Sequence, residues 1–231
     1  ILRCLVGSEM CIRDRSYIQG YVSSIGYGDG KVYVGYDNGR VQAFDENTLE
    51  SLWITDENKN AINSDFVFTN GKLYFGTTAK TTDWYDNGAP FSYYVVTTSD
   101  DDKTKPDEEK TMKKVVESKT GKFYLKKGVV LGKYIVISDT AGTLTMIDTT
   151  NDKVTDTKDI GEAFSGNITY DEMTGTIYFV AGTNDLYGIK VSADGKLKDE
   201  KKVRLYETGY SSTTPEVYNG KVYVSLSLIH I

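Results

Sequence analysis

A Gly-Lys-strand element recurs five times in the chain, Asp-Gly or Asn-Gly dipeptides stand before several of its strands, and 18 Tyr with abundant Val and Thr accompany only 3 Pro. Together these observations predict an all-β chain, an incomplete β-propeller of about four full blades plus part of a fifth, each blade a four-stranded antiparallel sheet.

The five copies are Gly30-Lys31-Val32-Tyr33-Val34, Gly71-Lys72-Leu73-Tyr74-Phe75, Gly132-Lys133-Tyr134-Ile135-Val136, Gly175-Thr176-Ile177-Tyr178-Phe179 and Gly220-Lys221-Val222-Tyr223-Val224. From glycine to glycine the steps are 41, 61, 43 and 45 residues. Four short strands with their turns occupy about 40 to 45 residues, the length of a propeller blade. This ruler divides the chain into blades at approximately 17–58, 59–120, 121–161, 162–206 and 207–225.

In the first blade Asp29-Gly30 is a hairpin dipeptide that tolerates positive φ, as are Asn70-Gly71 and Asn219-Gly220 in the second and fifth. The first copy continues through Asp37-Asn38-Gly39 into Arg40-Val41-Gln42-Ala43-Phe44-Asp45 and then Leu49-Glu50-Ser51-Leu52-Trp53. The third answers with Thr140-Ala141-Gly142, Thr143-Leu144-Thr145-Met146-Ile147-Asp148 and Lys153-Val154; the fourth with Asn184 to Lys190 and Asp194-Gly195-Lys196-Leu197. The second blade is about 20 residues longer than its neighbours, and the excess lies between Lys80 and Lys114. It holds an aromatic-polar loop, Trp84-Tyr85-Asp86-Asn87-Gly88, and a charged run from Ser99 to Lys110 that is too polar to bury itself and is expected to form a solvated hairpin tip.

A strand, Gly-Lys-Val-Tyr-Val-Gly, Asp-Asn-Gly-Arg, an apolar strand ending in Asp, then Leu-Trp: this succession, closest over residues 23–53 and looser afterwards, resembles the PQQ-like propeller repeat. The whole pattern of residues 16–225 resembles large surface proteins of gut Firmicutes that carry such propellers. That resemblance implies a non-catalytic binding or scaffolding module, extracellular or at a bacterial cell surface, with a protein or carbohydrate ligand at the blade-top loops and no cofactor. Two alternatives accompany it. A PQQ-dependent dehydrogenase would need a pair of adjacent cysteines, a calcium held by carboxylate and amide ligands and an Asp base, a set that no segment offers. A propeller assembly factor of outer-membrane biogenesis would need a lipobox upstream.

Both termini read as translated sequencing-library DNA. Leu226 to Ile231 is the translation of CTG TCT CTT ATA CAC ATC, the mosaic end of transposase-based libraries, and Leu5 to Arg15 is the translation of the complementary, longer adapter. Segments 1–15 and 226–231 are therefore expected to be non-native and are set aside from the fold reasoning. Cys4, Cys11 and His230 are the only cysteines and histidine, so residues 16–225 hold no thiol and no imidazole. Zinc sites with Cys or His ligands, His-dependent triads and thiol catalysis are thereby excluded for that segment. Without Arg3, Arg13, Arg15, Glu9 and Asp14 the chain carries 24 basic and 31 acidic side chains, a net charge of −7, with lysines scattered among aspartates rather than gathered on one face. Such a surface does not court nucleic acid. No apolar run approaches the roughly 18 residues of a membrane span.

Single residues complete the reading. Asp45 and Asp148 end equivalent strands and are expected to accept backbone N–H groups of the following turns. Trp53 is expected to pack between adjacent blades. Gly26-Tyr27-Gly28-Asp29-Gly30 leads into a strand, not a helix, and so is a hairpin and not a dinucleotide fingerprint. Asp100-Asp101-Asp102 lacks the alternating spacing of a calcium loop. The candidate ligand-binding residues are Trp84, Tyr85, Asp86 and Asn87, where an indole and a phenol beside a carboxylate and an amide suit stacking on, and hydrogen bonding to, a sugar or peptide.

Overall fold

The computed structural model describes residues 21–80, 90–101, 108–122, 124, 126–207 and 211–226. They form nineteen strands and, among the described residues, no helix.

The first sheet contains β1 (Val22–Gly28), β2 (Lys31–Tyr36), β3 (Val41–Asp45) and β4 (Ser51–Thr55). The second contains β5 (Val67–Thr69), β6 (Lys72–Gly76), β7 (Ser92–Thr97) and β9 (Lys113–Glu117). The third is β10 (Val129–Leu131), β11 (Tyr134–Ser138), β12 (Thr143–Asp148) and β13 (Lys153–Asp159); the fourth is β14 (Thr169–Asp171), β15 (Thr176–Ala181), β16 (Asp185–Val191) and β17 (Leu197–Arg204). Two strands, β18 (Glu216–Tyr218) and β19 (Lys221–Tyr223), make a fifth, partial sheet. The leading strands β1, β5, β10, β14 and β18 neighbour one another in chain order, so each sheet is a blade and the blades fan about an axis. The arc is not closed: this is an incomplete β-propeller.

The first three inter-blade seams are apolar layers. Tyr33, Val41 and Trp53 of the first blade meet Leu73, Phe75 and Val96 of the second. Tyr74, Tyr93 and Val95 meet Ile135, Ile137 and Ile147 at the next seam, and Val136, Leu144 and Met146 meet Ile177, Phe179 and Ile189 at the third. Trp53 is fully buried and its indole N–H donates to the carbonyl of Thr98 in the second blade, as its place in the repeat predicts.

The turns explain why the Gly-Lys element recurs and where it misleads. Asp29-Gly30, Asn70-Gly71 and Asn219-Gly220 have positive φ at both positions, the type I′ geometry that suits strand twist. In the β10–β11 turn of the third blade only Gly132 has positive φ, and Leu131 pairs with Tyr134, so Lys133 sits in the turn itself. Tyr134 therefore occupies the register of Lys72, and Val136 that of Tyr74: the third copy of the motif, although it carries the same Gly-Lys letters, is offset by one residue from the others.

The glycine of Asp37-Asn38-Gly39 and Thr140-Ala141-Gly142 has a distinct task. The carbonyl of Gly39 accepts from Asn58 N at 3.2 Å, and that of Gly142 from Ile160 N at 3.0 Å, so each receives the segment leaving its own blade. Gly142 has a φ of +106°, and a Cβ there would stand 2.2 Å from the Glu162 carbonyl oxygen. Gly142→Ala is expected to cost more than about 1 kcal/mol, because the new methyl meets backbone and the conformation is strained for an L residue. A lowered urea midpoint at unchanged m-value checks this.

One feature departs from the sequence reading, and a second lay outside it. The charged run of the second blade is not simply a solvated tip, since Glu108–Lys110 forms β8 and pairs with the outer edge of β4. The first blade is thus five-stranded, in the order β1-β2-β3-β4-β8, and the β4–β8 pair is the one parallel pairing among the described strands. In addition, every four-strand set carries a bulge between its third and fourth strands, at Ala43/Phe44, Tyr93/Tyr94, Met146/Ile147 and Gly188/Lys190. Such bulges bend the bulged strand and increase its local twist.

Candidate functional site

Strand alternation places the β2–β3, β4–β5 and β6–β7 connections at one end of the arc. There the chain between β4 and β5 is held on both sides. Ile62 N donates to Tyr36 O at 3.0 Å, and Ala61 and Thr78 exchange two backbone bonds of 3.0 Å. Asn58 fixes the local turn by accepting Asn60 N at 3.0 Å, and the Asn60 side-chain amide donates to Pro90 O at 3.4 Å.

Between this segment and the face of the second blade lies a cleft of about 290 Å³. Asn58, Asn60 and Pro90 form one wall; Tyr94, Lys114 and Glu117 form the other. The half-buried Tyr94 ring is stacked on Phe75, with centroids 6.3 Å apart and planes inclined by 22°. Lys114 and Glu117 are joined at 2.6 Å, and that bond first, then the carboxylate's charge, holds the ammonium above its ordinary range. The cleft therefore offers a fixed aromatic edge, amides and a paired cation and anion. These recognise polar ligands by stacking and hydrogen bonding.

Trp84, Tyr85, Asp86 and Asn87 lie outside the described residues; Pro90, where description resumes, is in the cleft wall. The sequence reading passed over Asn58, Asn60, Tyr94, Lys114 and Glu117. The Glu57-Asn58-Lys59-Asn60 run was its one visible signal, a polar stretch between two strands with two amides suited to turn bonding.

The carboxylates at strand ends are occupied structurally. Asp45 Oδ1 accepts Asn47 N at 2.8 Å and Thr48 N at 2.9 Å, and these backbone bonds hold its carboxyl below the usual range. Asp148 does the same for Thr150, side chain first and then backbone, with its carboxyl again held low. A second hollow, of about 500 Å³, runs along the leading strands and is walled by Tyr27, Phe68, Val130, Lys127, Asn167 and Thr214. Among the described residues no group of three or more His, Cys, Asp or Glu is placed to hold a metal ion, and no helix is long and apolar enough to cross a membrane.

No family model matches the sequence, and no curated protein does. Solved structures do. BamB from Moraxella catarrhalis superposes with a TM-score of 0.61 at 14% identity, covering 88% of this chain and 55% of that one. A computationally designed protein, Ika8, gives 0.62 at 12% identity over 90% of this chain and 56% of its own. The β-propeller domain of Cps50 (Swd1) from Myceliophteria thermophila gives 0.51 at 10% identity over 79% and 58%. The chain thus spans between 55% and 58% of the length of these structures. At such identities the likeness is one of fold, and the fold is that of a β-propeller.

Proposed function

We propose that the chain is a non-catalytic binding or scaffolding module of a bacterial cell-surface or secreted protein, of the PQQ-like repeat type, with a carbohydrate or protein ligand at its loop end. The observation that carries this is the cleft between the β4–β5 segment and the second blade, where the Asn58 and Asn60 amides face Tyr94 and the Lys114–Glu117 pair. The groups in it are suited to recognition: of its two lysines, Lys59 and Lys114, the second is paired with Glu117, and the wall residues include neither imidazole nor thiol. Trp84, Tyr85, Asp86 and Asn87 belong to the same connection as Pro90 and are proposed to extend the contact surface. An assembly-factor role in outer-membrane biogenesis has the fold likeness to BamB as its support.

An array of bacterial, plant and mucin oligosaccharides, followed by titration calorimetry on any binder, tests the reading. Tyr94→Ala is expected to weaken binding by about tenfold or more, equivalent to about 1.4 kcal/mol, and Asn58→Ala by less. Tyr218→Ser, at the far end of the arc, is expected to leave it unchanged. A binder indifferent to both cleft substitutions would place the site elsewhere, and an array without binders would direct the search to protein ligands.

A further inference from the structure

β8 marks a surface unlike any other in the fold. It is three residues long, parallel to its partner, and crosses from the second blade to lie on the outer edge of the first. Parallel pairing is the weaker kind per residue, and so short a strand needs other anchors. One is the backbone: Asp56 N donates to Lys110 O at 2.9 Å. The other is Lys110 itself, 7% exposed, with its ammonium 5.6 Å from the Trp53 ring centroid, bonded to the Ser99 carbonyl and 3.4 Å from Asp101 Oδ2. An indole face, a carbonyl and a carboxylate make a seat for a cation at the edge of a sheet.

The occupant fits this place imperfectly. Glu108 Oε2 is buried and has no hydrogen-bond partner among the described residues, so β8 brings to the edge a carboxylate with one oxygen unsatisfied. A strand with an apolar residue at that position would lose nothing and keep the ladder.

We propose that the outer edge of β4 is a strand-acceptor site, covered in cis by β8 and able to take instead an extended peptide from a partner protein, parallel to β4, with Lys or Arg over Trp53. Strand addition to a sheet edge derives affinity from the main chain and specificity from alternate side chains. Here the specificity is for the cation and against an acidic residue two positions before it. The donor is a partner and not a second copy of this chain, because only Thr111 and Met112 separate β8 from β9, which is paired inside the second blade. A copy's β8 cannot reach across without tearing that strand away.

The test uses Lys110→Pro, which takes an N–H from the ladder and empties the cation seat, in a Trp84→Phe background so that Trp53 is the one indole. The probe is the octapeptide Thr-Ser-Val-Thr-Lys-Thr-Thr-Ser, with a twin bearing Glu for Lys. Trp53 fluorescence gives the affinity, and amide-exchange protection of Trp53 to Asp56 gives the location. The Lys peptide is expected to bind the variant at least about tenfold more tightly than the parent, and at least about tenfold more tightly than its twin. Should Lys110→Pro fail to fold by circular dichroism, Lys110→Ala keeps the N–H, empties the seat, and is expected to show the same order. Equal affinity for parent and variant, or for the two peptides, overturns the assignment. So does a dimeric variant that ignores the peptide, which would give the edge to a second copy.

Discussion

Trp53→Ala is expected to lower stability by about 3–5 kcal/mol, the largest single loss in the chain. The indole has no exposed surface and stands where two blades and the added strand meet. Its ring is 5.9 Å from that of Tyr33, its N–H donates to Thr98 O, and the Lys110 ammonium lies over its face. Truncation leaves a cavity between rigid sheets that cannot collapse into it, together with a buried carbonyl short of a donor and a cation short of its aromatic partner. Trp53→Phe restores most of the volume and the ring but not the N–H, and its cost is expected to be less than half. Guanidinium unfolding followed by far-UV circular dichroism measures both. A Trp53→Ala loss below about 1 kcal/mol would mean that the seam is softer than its packing implies.

That seam also shows how far the sequence could be read. Trp53 was legible as inter-blade core because its position in the repeat admits no solvent. The type I′ turns at Asp29-Gly30, Asn70-Gly71 and Asn219-Gly220 were legible because few dipeptides tolerate two successive positive φ values. The third blade was not legible to the residue. Gly132-Lys133 carries the same letters as Gly71-Lys72, yet one positive φ instead of two moves the turn and slips the register by one. A slip of one exchanges the two faces of a strand, which is why Tyr134 and not Ile135 faces the fourth blade. Glu108–Lys110 was hidden for another reason. By composition it is a solvated charge run, and its strand exists only because β4 offers an unpaired edge and Trp53 offers a face for the lysine. The cleft residues were missed on the same ground. Asn58 and Asn60 are neighbours in sequence, but Tyr94 and Lys114 come to them only when the second blade folds against the first.

At the second seam a polar latch takes the place of the tryptophan, and it makes the stability of the arc depend on acid. Asp152, in the β12–β13 turn with a φ of +57°, accepts Lys72 Nζ at 2.7 Å, the Tyr74 hydroxyl at 2.7 Å and Lys113 Nζ at 3.0 Å, all from the second blade. Burial by itself would raise this carboxyl, but the bonds from Lys72, Tyr74 and Lys113 outweigh it and hold it below the ordinary range. Burial first, then Asp152, pushes the Tyr74 phenol up, so it remains a donor. A carboxyl depressed in the folded state contributes stability above its unfolded value, about 3.9, and loses it as pH falls through the folded one. Asp152→Ala is expected to cost about 2 kcal/mol at pH 7, below the 3–5 kcal/mol of a fully buried pair because Lys113 is 59% exposed and screened. The difference between parent and Asp152→Asn is expected to be constant from pH 7 to about pH 5 and to shrink below about pH 4 as the parent's carboxyl takes up its proton. Urea unfolding of both proteins across that range follows the change. A gap that persists unchanged below pH 3 would show that the latch works through shape and hydrogen bonding and not through its charge.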